Sequence, residues 1–436
     1  MPIKRVVLVA LSLASILVMA RAEGGMNIDE AVAKAAKSNA SLGREALDLA
    51  AAKRAADAAQ SLLYPSASVS GGLSRAGGFP GSLAAELDNY SLYADLSLSI
   101  SLSPATRIKM ERLGLVYGKQ LLSYKAASRA LELEVRSSFY AILLDQANLA
   151  LAEQNLEREK KSCDKVRTKF SAGLVPELDY LQAQVGLAEM EPKAESARVS
   201  LEDDLDSFRL LLGLEPGSPL ELRGSLETAK NVTIKAVSDI VGKEKGESLS
   251  AAAIRKSMEI ATLDRKLAAL NIASPSLSLS AKLMPVLGGL GSGVSVSGST
   301  GSFSAVVSYP LSGYLPSSAE SVALAAADDE IASLQSQLDE ARRASKVSVD
   351  GYLRAIKAAT TSLAALGGNV ELARKTYDLT SQAYEKGLKD LSDIETAAGS
   401  LDSANADFVA EEHTLLAKVL GLESELGLDF GTIGRN

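Results

Sequence analysis

The chain is predicted to be mainly α-helical and internally duplicated, with long antiparallel coiled-coil helices carrying four β-strands that belong at a membrane. Three observations predict this. The stretch Tyr90 to Leu102 reads YSLYADLSLSISL, so Leu92, Ala94, Leu96, Leu98, Ile100 and Leu102 share one parity with Tyr90. Ser91, Tyr93, Asp95, Ser97, Ser99 and Ser101 share the other, giving a strand with an aliphatic face and a hydroxyl face. Serine packs poorly in a core, so this strand suits a wall between lipid and water, although a soluble sandwich strand fits the same parity. Second, apolar residues recur every seven positions along two very long helices. Third, the order of elements is stated twice, and repeats of this kind decide a fold before any single segment does.

Residues 1–22 read as an export signal. Lys4 and Arg5 precede an apolar run from Val6 to Ala20, and Ala20-Arg21-Ala22 forms a small-x-small cleavage site. A run of about 15 residues is shorter than the roughly 20 that a spanning helix needs, so removal is expected rather than anchoring. No cysteine follows it to take a lipid.

Composition excludes several classes. The 436 residues carry a net charge of -8, no Trp, one His and one Cys, which rules out an internal disulfide. The acidic balance, with no dense Lys/Arg stripe after residue 22, argues against a nucleic-acid partner. No mature segment is apolar enough for a spanning helix.

The first repeat occupies 23–215. A helix is expected from Asn27 to Leu63, opened by Asn27 and Glu30 at capping-box spacing and stopped at Tyr64-Pro65. A strand over Ala67 to Leu73, a loop at Gly77-Gly78-Phe79-Pro80-Gly81 and the strand at Tyr90 follow. Pro104 starts a long helix running to about Phe170, since a first-turn proline lacks only an amide that has no helical partner. The chain turns at Ala172-Gly173, and a returning helix ends in Gly-Leu-Glu at 213–215. Residues 216–247, mixed and charged, are expected to form a small equatorial belt outside the long helices.

The second repeat occupies 248–436. A helix stops at Ser274-Pro275, and a strand places Leu277, Leu279, Ala281 and Leu283 opposite Ser276, Ser278, Ser280 and Lys282. Beyond a Gly/Ser loop, Phe303, Ala305, Val307 and Tyr309 alternate with Ser302, Ser304, Val306 and Ser308 before Pro310 and Pro316. A second long helix breaks at Lys386-Gly387, and its return is expected to end in Gly-Leu-Glu at 421–423. By that alignment the tip glycine and the closing Gly-Leu-Glu are 40 residues apart in one half and 34 in the other, so the layers would not be equivalent.

The heptads run through Val135, Ile142, Leu149, Leu156, Cys163 and Phe170, and through Leu324, Ile331, Leu338, Ser345, Tyr352, Ala359, Leu366 and Ala373. A sustained seven-residue period specifies a coiled-coil seam, and about 65 residues at 1.5 Å each make a rod of roughly 100 Å. Cys163 at a seam position reads as a packed, inert thiol. His413 among acids reads as exposed and structural. There is no CxxC, HExxH, Walker A or nucleophile elbow, so neither catalysis, metal nor cofactor has a visible carrier.

Strands with an oily face cannot span a membrane as an open sheet, because each unpaired edge group in hydrocarbon costs several kcal/mol. The sheet must close by oligomerising, and more than two chains are needed to leave a passage. YPSASVSGGL and SPSLSLSAKL as paired strands, with KFSAGLVPELDYL and AYEKGLKDLSDI as paired helical turns of the form G-x5-D, resemble the TolC-type outer-membrane efflux proteins. The resemblance covers essentially the whole mature chain and implies a homotrimer. It implies a twelve-stranded barrel in outer-membrane lipid, an α-helical barrel across the periplasm, a periplasmic adaptor and an inner-membrane pump. The implied function is a passive exit duct of a tripartite efflux pump or type I secretion system, for small molecules or polypeptide. By position relative to tip glycines Gly173 and Gly387, Asp179, Tyr384, Lys389 and Asp393 match the family's periplasmic gate. Lys389 stands where arginine is usual and lacks its bidentate fork, and Thr396 stands at a second pore aspartate. From the residues alone, a periplasmic or surface structural coiled-coil protein is the alternative.

Overall fold

A computed structural model of the chain describes residues 25–75, 90–243, 247–289 and 298–433. The signal segment and the loops at 77–81 and 290–297 lie outside these residues. The described part divides into two compact units, one drawn from 25–43, 128–243 and 347–433, the other from 44–75, 90–127, 247–289 and 298–346.

The second of these units holds a four-stranded antiparallel sheet in the order β1 (Ser66–Arg75), β2 (Tyr90–Leu102), β3 (Ser276–Gly289) and β4 (Gly298–Ser308). Register turns the parity of single strands into continuous faces. Ser66 pairs with Ser99 and Ser68 with Ser97, their hydroxyl oxygens 2.8 and 2.7 Å apart, and Ser280 meets Ser304 at 2.7 Å. On the same face Lys282 Nζ reaches Asp95 Oδ2 at 2.6 Å. The opposite face aligns Ala67, Leu98, Ala281 and Phe303, and beside them Val69, Leu96 and Leu283. Among the described residues nothing covers it, for Val69, Phe303 and Val307 are 79%, 74% and 72% exposed. Strand β3 extends through Pro285, which pairs with Ser299 near the strand ends.

Around the sheet's base, the unit includes α2 (Ala40–Asp57), α6 (Leu249–Ala273) and the first parts of α3 (Pro104–Ser171) and α7 (Ala319–Glu385). Ser248 caps α6 by accepting from the Ala251 amide. Arg112 pairs with Asp264 at 2.6 Å, and Arg265 pairs with Asp328.

The other unit gathers α1 (Ile28–Ser38), the later parts of α3 and α7, α4 (Glu177–Leu211), α5 (Ile234–Lys243) and α8 (Leu391–Leu426). The first helix of the sequence reading is in fact two, α1 and α2, followed by a 3₁₀ segment over Ala58–Leu63. Asn39 leaves the helical region, ends α1 by donating its amide to the Ala35 carbonyl, and starts α2 by accepting from Ser41 and Leu42 amides through Oδ1. Asparagine competes with the helix for its own backbone groups, which is why the break falls there.

The seams are as the heptads require. Val135, Ile142 and Cys163 are buried in α3, Leu338 and Ala359 in α7, and of all the seam positions only Phe170, beside the turn, is exposed. His413 is half-buried rather than exposed, and burial lowers its pKa. In the 216–247 segment, Leu222 bridges Met26, while a 3₁₀ turn at Leu226–Asn231 packs on α8. Gly224 lies so close to Phe139 and Leu143 that a side chain there would strike both at 2.8 Å.

The largest correction concerns the ends of the returning helices. α8 does not stop at Glu423. It continues to Leu426 and ends at Gly427 (φ +73), whose amide bonds to the Ser424 carbonyl while Leu428 reaches Glu423. Gly213 (φ +67) ends α4 the same way, with bonds to Leu210 and, from Leu214, to Arg209. Gly173 to Gly213 and Gly387 to Gly427 are both 40 residues, so the two halves are equivalent in length after all. The second Gly-Leu-Glu misled because Gly421 serves packing instead, giving room to the Tyr352 ring.

Candidate functional site at the two hairpin turns

Each long helix ends in the same structure. Gly173 and Gly387 both take φ +70, their amides bond to the Phe170 and Tyr384 carbonyls at 2.9 Å, and Leu174 and Leu388 bond to Lys169 and Ala383 at 2.9 Å. These are paired Schellman closures, which glycine makes without a Cβ penalty. The leucines that follow are 73% and 74% exposed, so each turn presents one large apolar side chain.

The returning helices begin alike. Asp179 is the third residue of α4 and Asp393 the third of α8, so the G-x5-D spacing places an acid in each helix's first turn, where the helix dipole favours it. Asp393 accepts from the Asp390 amide at 3.3 Å and completes a capping box with it. Lys389 Nζ lies 3.1 Å from Asp393 Oδ1. The lysine bond, and next the Asp390 amide, hold the Asp393 carboxyl below the usual carboxylate range.

Tyr384 lies deeper. It packs beside the small core of Cys163, Val166, Ala183 and Leu391, and its buried hydroxyl has no hydrogen-bond partner. Burial first, then the charges of Asp179 and Glu395, push its phenol pKa up. Lys169 Nζ sits 4.1 Å from the centre of its ring, and Phe170 stacks on Tyr180 at 5.5 Å. The structure thus brings Asp179 toward Tyr384 and pairs Lys389 with Asp393. It does not pair Lys389 with Asp179 within one chain.

Above the turns an open groove of about 1000 Å³ runs between α3, α7 and α8. Arg158, Lys161, Lys165, Lys169 and Arg374 line it against Glu157, Asp378 and Glu385. Arg158 pairs with Asp402 at 2.5 Å and lies 5.5 Å over Tyr377. Deeper still, Glu159 and Glu395 converge on Gly186, where a Cβ would be 3.7 and 4.0 Å from their oxygens. Burial raises both carboxyls. For Glu395 the Glu159 and Glu189 charges add to it. Sequence reasoning missed Lys169, Arg158 and this glutamate pair, since contacts between helices more than 200 residues apart leave no local period. Among the described residues no cluster suits a metal ion.

The fold comprises two helical hairpins with matched turns and a four-stranded antiparallel sheet. Residues 31–214 match the family model described as outer membrane efflux protein. Solved structures share the fold over both repeats. CusC, described as forming a transmembrane channel, matches with TM-score 0.76 at 16% identity over 92% of each chain. The outer membrane protein VceC of Vibrio cholerae matches at 0.73 and 15%, over 92% of this chain and 96% of its own. The CmeC outer membrane channel of Campylobacter jejuni matches at 0.74 and 15%, over 92% and 85%. At such identities the likeness is one of fold. No curated protein matches by sequence. The resemblance to TolC-type outer-membrane efflux proteins therefore holds, by family match over the first repeat and by fold over both.

Proposed function

We propose that three copies of this chain form an exit duct in the outer membrane, through which cargo leaves under the drive of an inner-membrane pump and a periplasmic adaptor. The observation that carries this is the sheet. Its hydroxyl face is internally bonded, its aliphatic face is bare, and strands β1 and β4 are its two edges. An oily sheet with open edges is stable in lipid only when closed, and twelve strands leave a water-filled interior. Export with loss of residues 1–22 brings the chain there. The duct is passive, and it serves a tripartite efflux pump or a type I secretion system carrying small molecules or polypeptide.

The hairpin turns form the periplasmic gate. Asp179 and Tyr384 couple the first hairpin to the second, Lys389 steadies the second turn, and Asp393 lines the constriction. Native mass measurement in detergent tests the assembly: the mature chain is expected at three copies, in a band that shifts on heating. A monomer in detergent and in plain buffer would leave only the structural coiled-coil reading.

A further inference from the structure

The two repeats differ where strand gives way to long helix. In the first, Leu102 is followed by Ser103 and then α3. In the second, ten residues, Tyr309 to Ser318, intervene between β4 and α7. This insertion is a built hook. Leu311 and Ser312 accept from Tyr314 and Leu315 amides in a short 3₁₀ turn, and Ser312 Oγ donates to Glu320 at 2.8 Å. Gly313 is pressed against the last turn of α6, where a Cβ would lie 2.8 Å from Ile272 Cα. Ser317, at φ +59, is the one non-glycine residue in the left-handed region among the described residues. The hook is therefore held in one shape.

That shape directs apolar groups outward. Leu311, Tyr314 and Leu315 are 71%, 60% and 63% exposed, a poor arrangement for a soluble surface loop. The face they join is fixed by Tyr309, which continues the aliphatic parity of Phe303, Ala305 and Val307. Its hydroxyl lies 2.7 Å from that of Tyr314. The hook is thus continuous with the oily face, at the end where the strands meet the helices. Paired phenols with apolar bodies suit the zone where acyl chains meet headgroups.

We propose that the Tyr309–Leu315 hook is a membrane-interface anchor of the second repeat, with Leu311, Tyr314 and Leu315 seated in lipid just inside the headgroup layer. This rests on the barrel reading above, and it fixes the depth at which the barrel sits on one side of each chain. A second copy is the other cover to be distinguished, and the hook itself packs on the last turn of α6.

The chain contains no tryptophan, so a single introduced indole reports alone. Full-length mature chain carrying Leu315→Trp, or Leu311→Trp should the first fail to fold, is reconstituted in phosphatidylcholine vesicles. The lipid carries bromine either near the headgroup end or near the methyl end of its acyl chains. Phe303→Trp, at the middle of β4, reports on the barrel itself. The Leu315→Trp indole is expected to lose more than half its emission to headgroup-end bromine and little to methyl-end bromine, while Phe303→Trp is quenched mainly by methyl-end bromine. Quenching of Phe303→Trp alone overturns the anchor while the barrel stands: red-shifted emission at 315 then means water, and blue-shifted emission means cover by a second copy. Quenching at neither position overturns the barrel and the anchor together.

Discussion

Lys389 and Asp393 form an ion pair of 3.1 Å across one turn of the second hairpin, and the same aspartate caps α8. The residue proposed for the gate thus has a local structural task in capping α8. An exposed pair one turn apart contributes about 0.3–0.5 kcal/mol, so Lys389→Ala should leave stability almost unchanged. The double variant Asp179→Ala, Lys389→Ala should conduct more than wild type in single-channel recording. Equal conductance would remove both residues from the gate.

Substitution of the tip glycines separates backbone from packing. Gly173→Ala and Gly387→Ala force a Cβ into the left-handed region, at a cost of roughly 1–2 kcal/mol, with nothing nearby to strike. Gly213→Ala meets the same penalty and in addition a Ser38 Cβ at 2.7 Å. Hydrogen exchange at each turn should show the larger loss of protection for Gly213→Ala; equal losses would mean that Ser38 moves freely aside.

Asp145 on α3 faces Asp204 on α4. Burial, then the hydrogen bond to Asp204 and its charge, raise the Asp145 carboxyl to about 6. A raised acid favours the fold while protonated, so its contribution is complete below about pH 4 and lost as pH rises through about 6. Asp145→Asn should stabilise the chain at pH 7.5 by about 1 kcal/mol after solvent screening, and should flatten the pH dependence of unfolding across that window. An unchanged profile would show that the pair is not in contact.

The C-terminal segment is held by one buried and one half-buried side chain, Glu423 and Arg129. Glu423, fully buried, accepts from the Gly431 and Ile433 amides at 2.9 and 2.8 Å. Arg129 donates to the Glu423, Ser424 and Leu428 carbonyls and lies 4.8 Å over the Phe430 ring. Arg129→Ala should cost roughly 2 kcal/mol and speed proteolysis within 427–433 severalfold. Unaltered proteolysis would mean that Glu423, Phe430 and Ile433 hold the segment without Arg129.

Much of this fold was legible because its periods are long. Seven-residue spacing located both seams, and parity alone assigned Ser97, Ser99, Ser280 and Ser304 to one face of the sheet. Asn39 was hidden, since an asparagine within an alanine-rich helix reads as neutral until its side chain is seen capping α2. Gly421 and Gly427 could not be ranked by sequence, because one glycine is kept for a tyrosine ring and the other for its backbone angle. Glycine positions at 173 and 387 were found for the right physical reason, but the partner of Lys389 was not. A side chain on a turn can reach several acids, and only the capping geometry around Asp390 settles which.

On the proposed function, the bare aliphatic face touches hydrocarbon and closing it makes a pore. Planar-bilayer recording of the purified mature chain tests this most directly. Discrete conductance steps of one size, from a three-copy complex, are the expected result; a monomer in plain buffer that never inserts would contradict it.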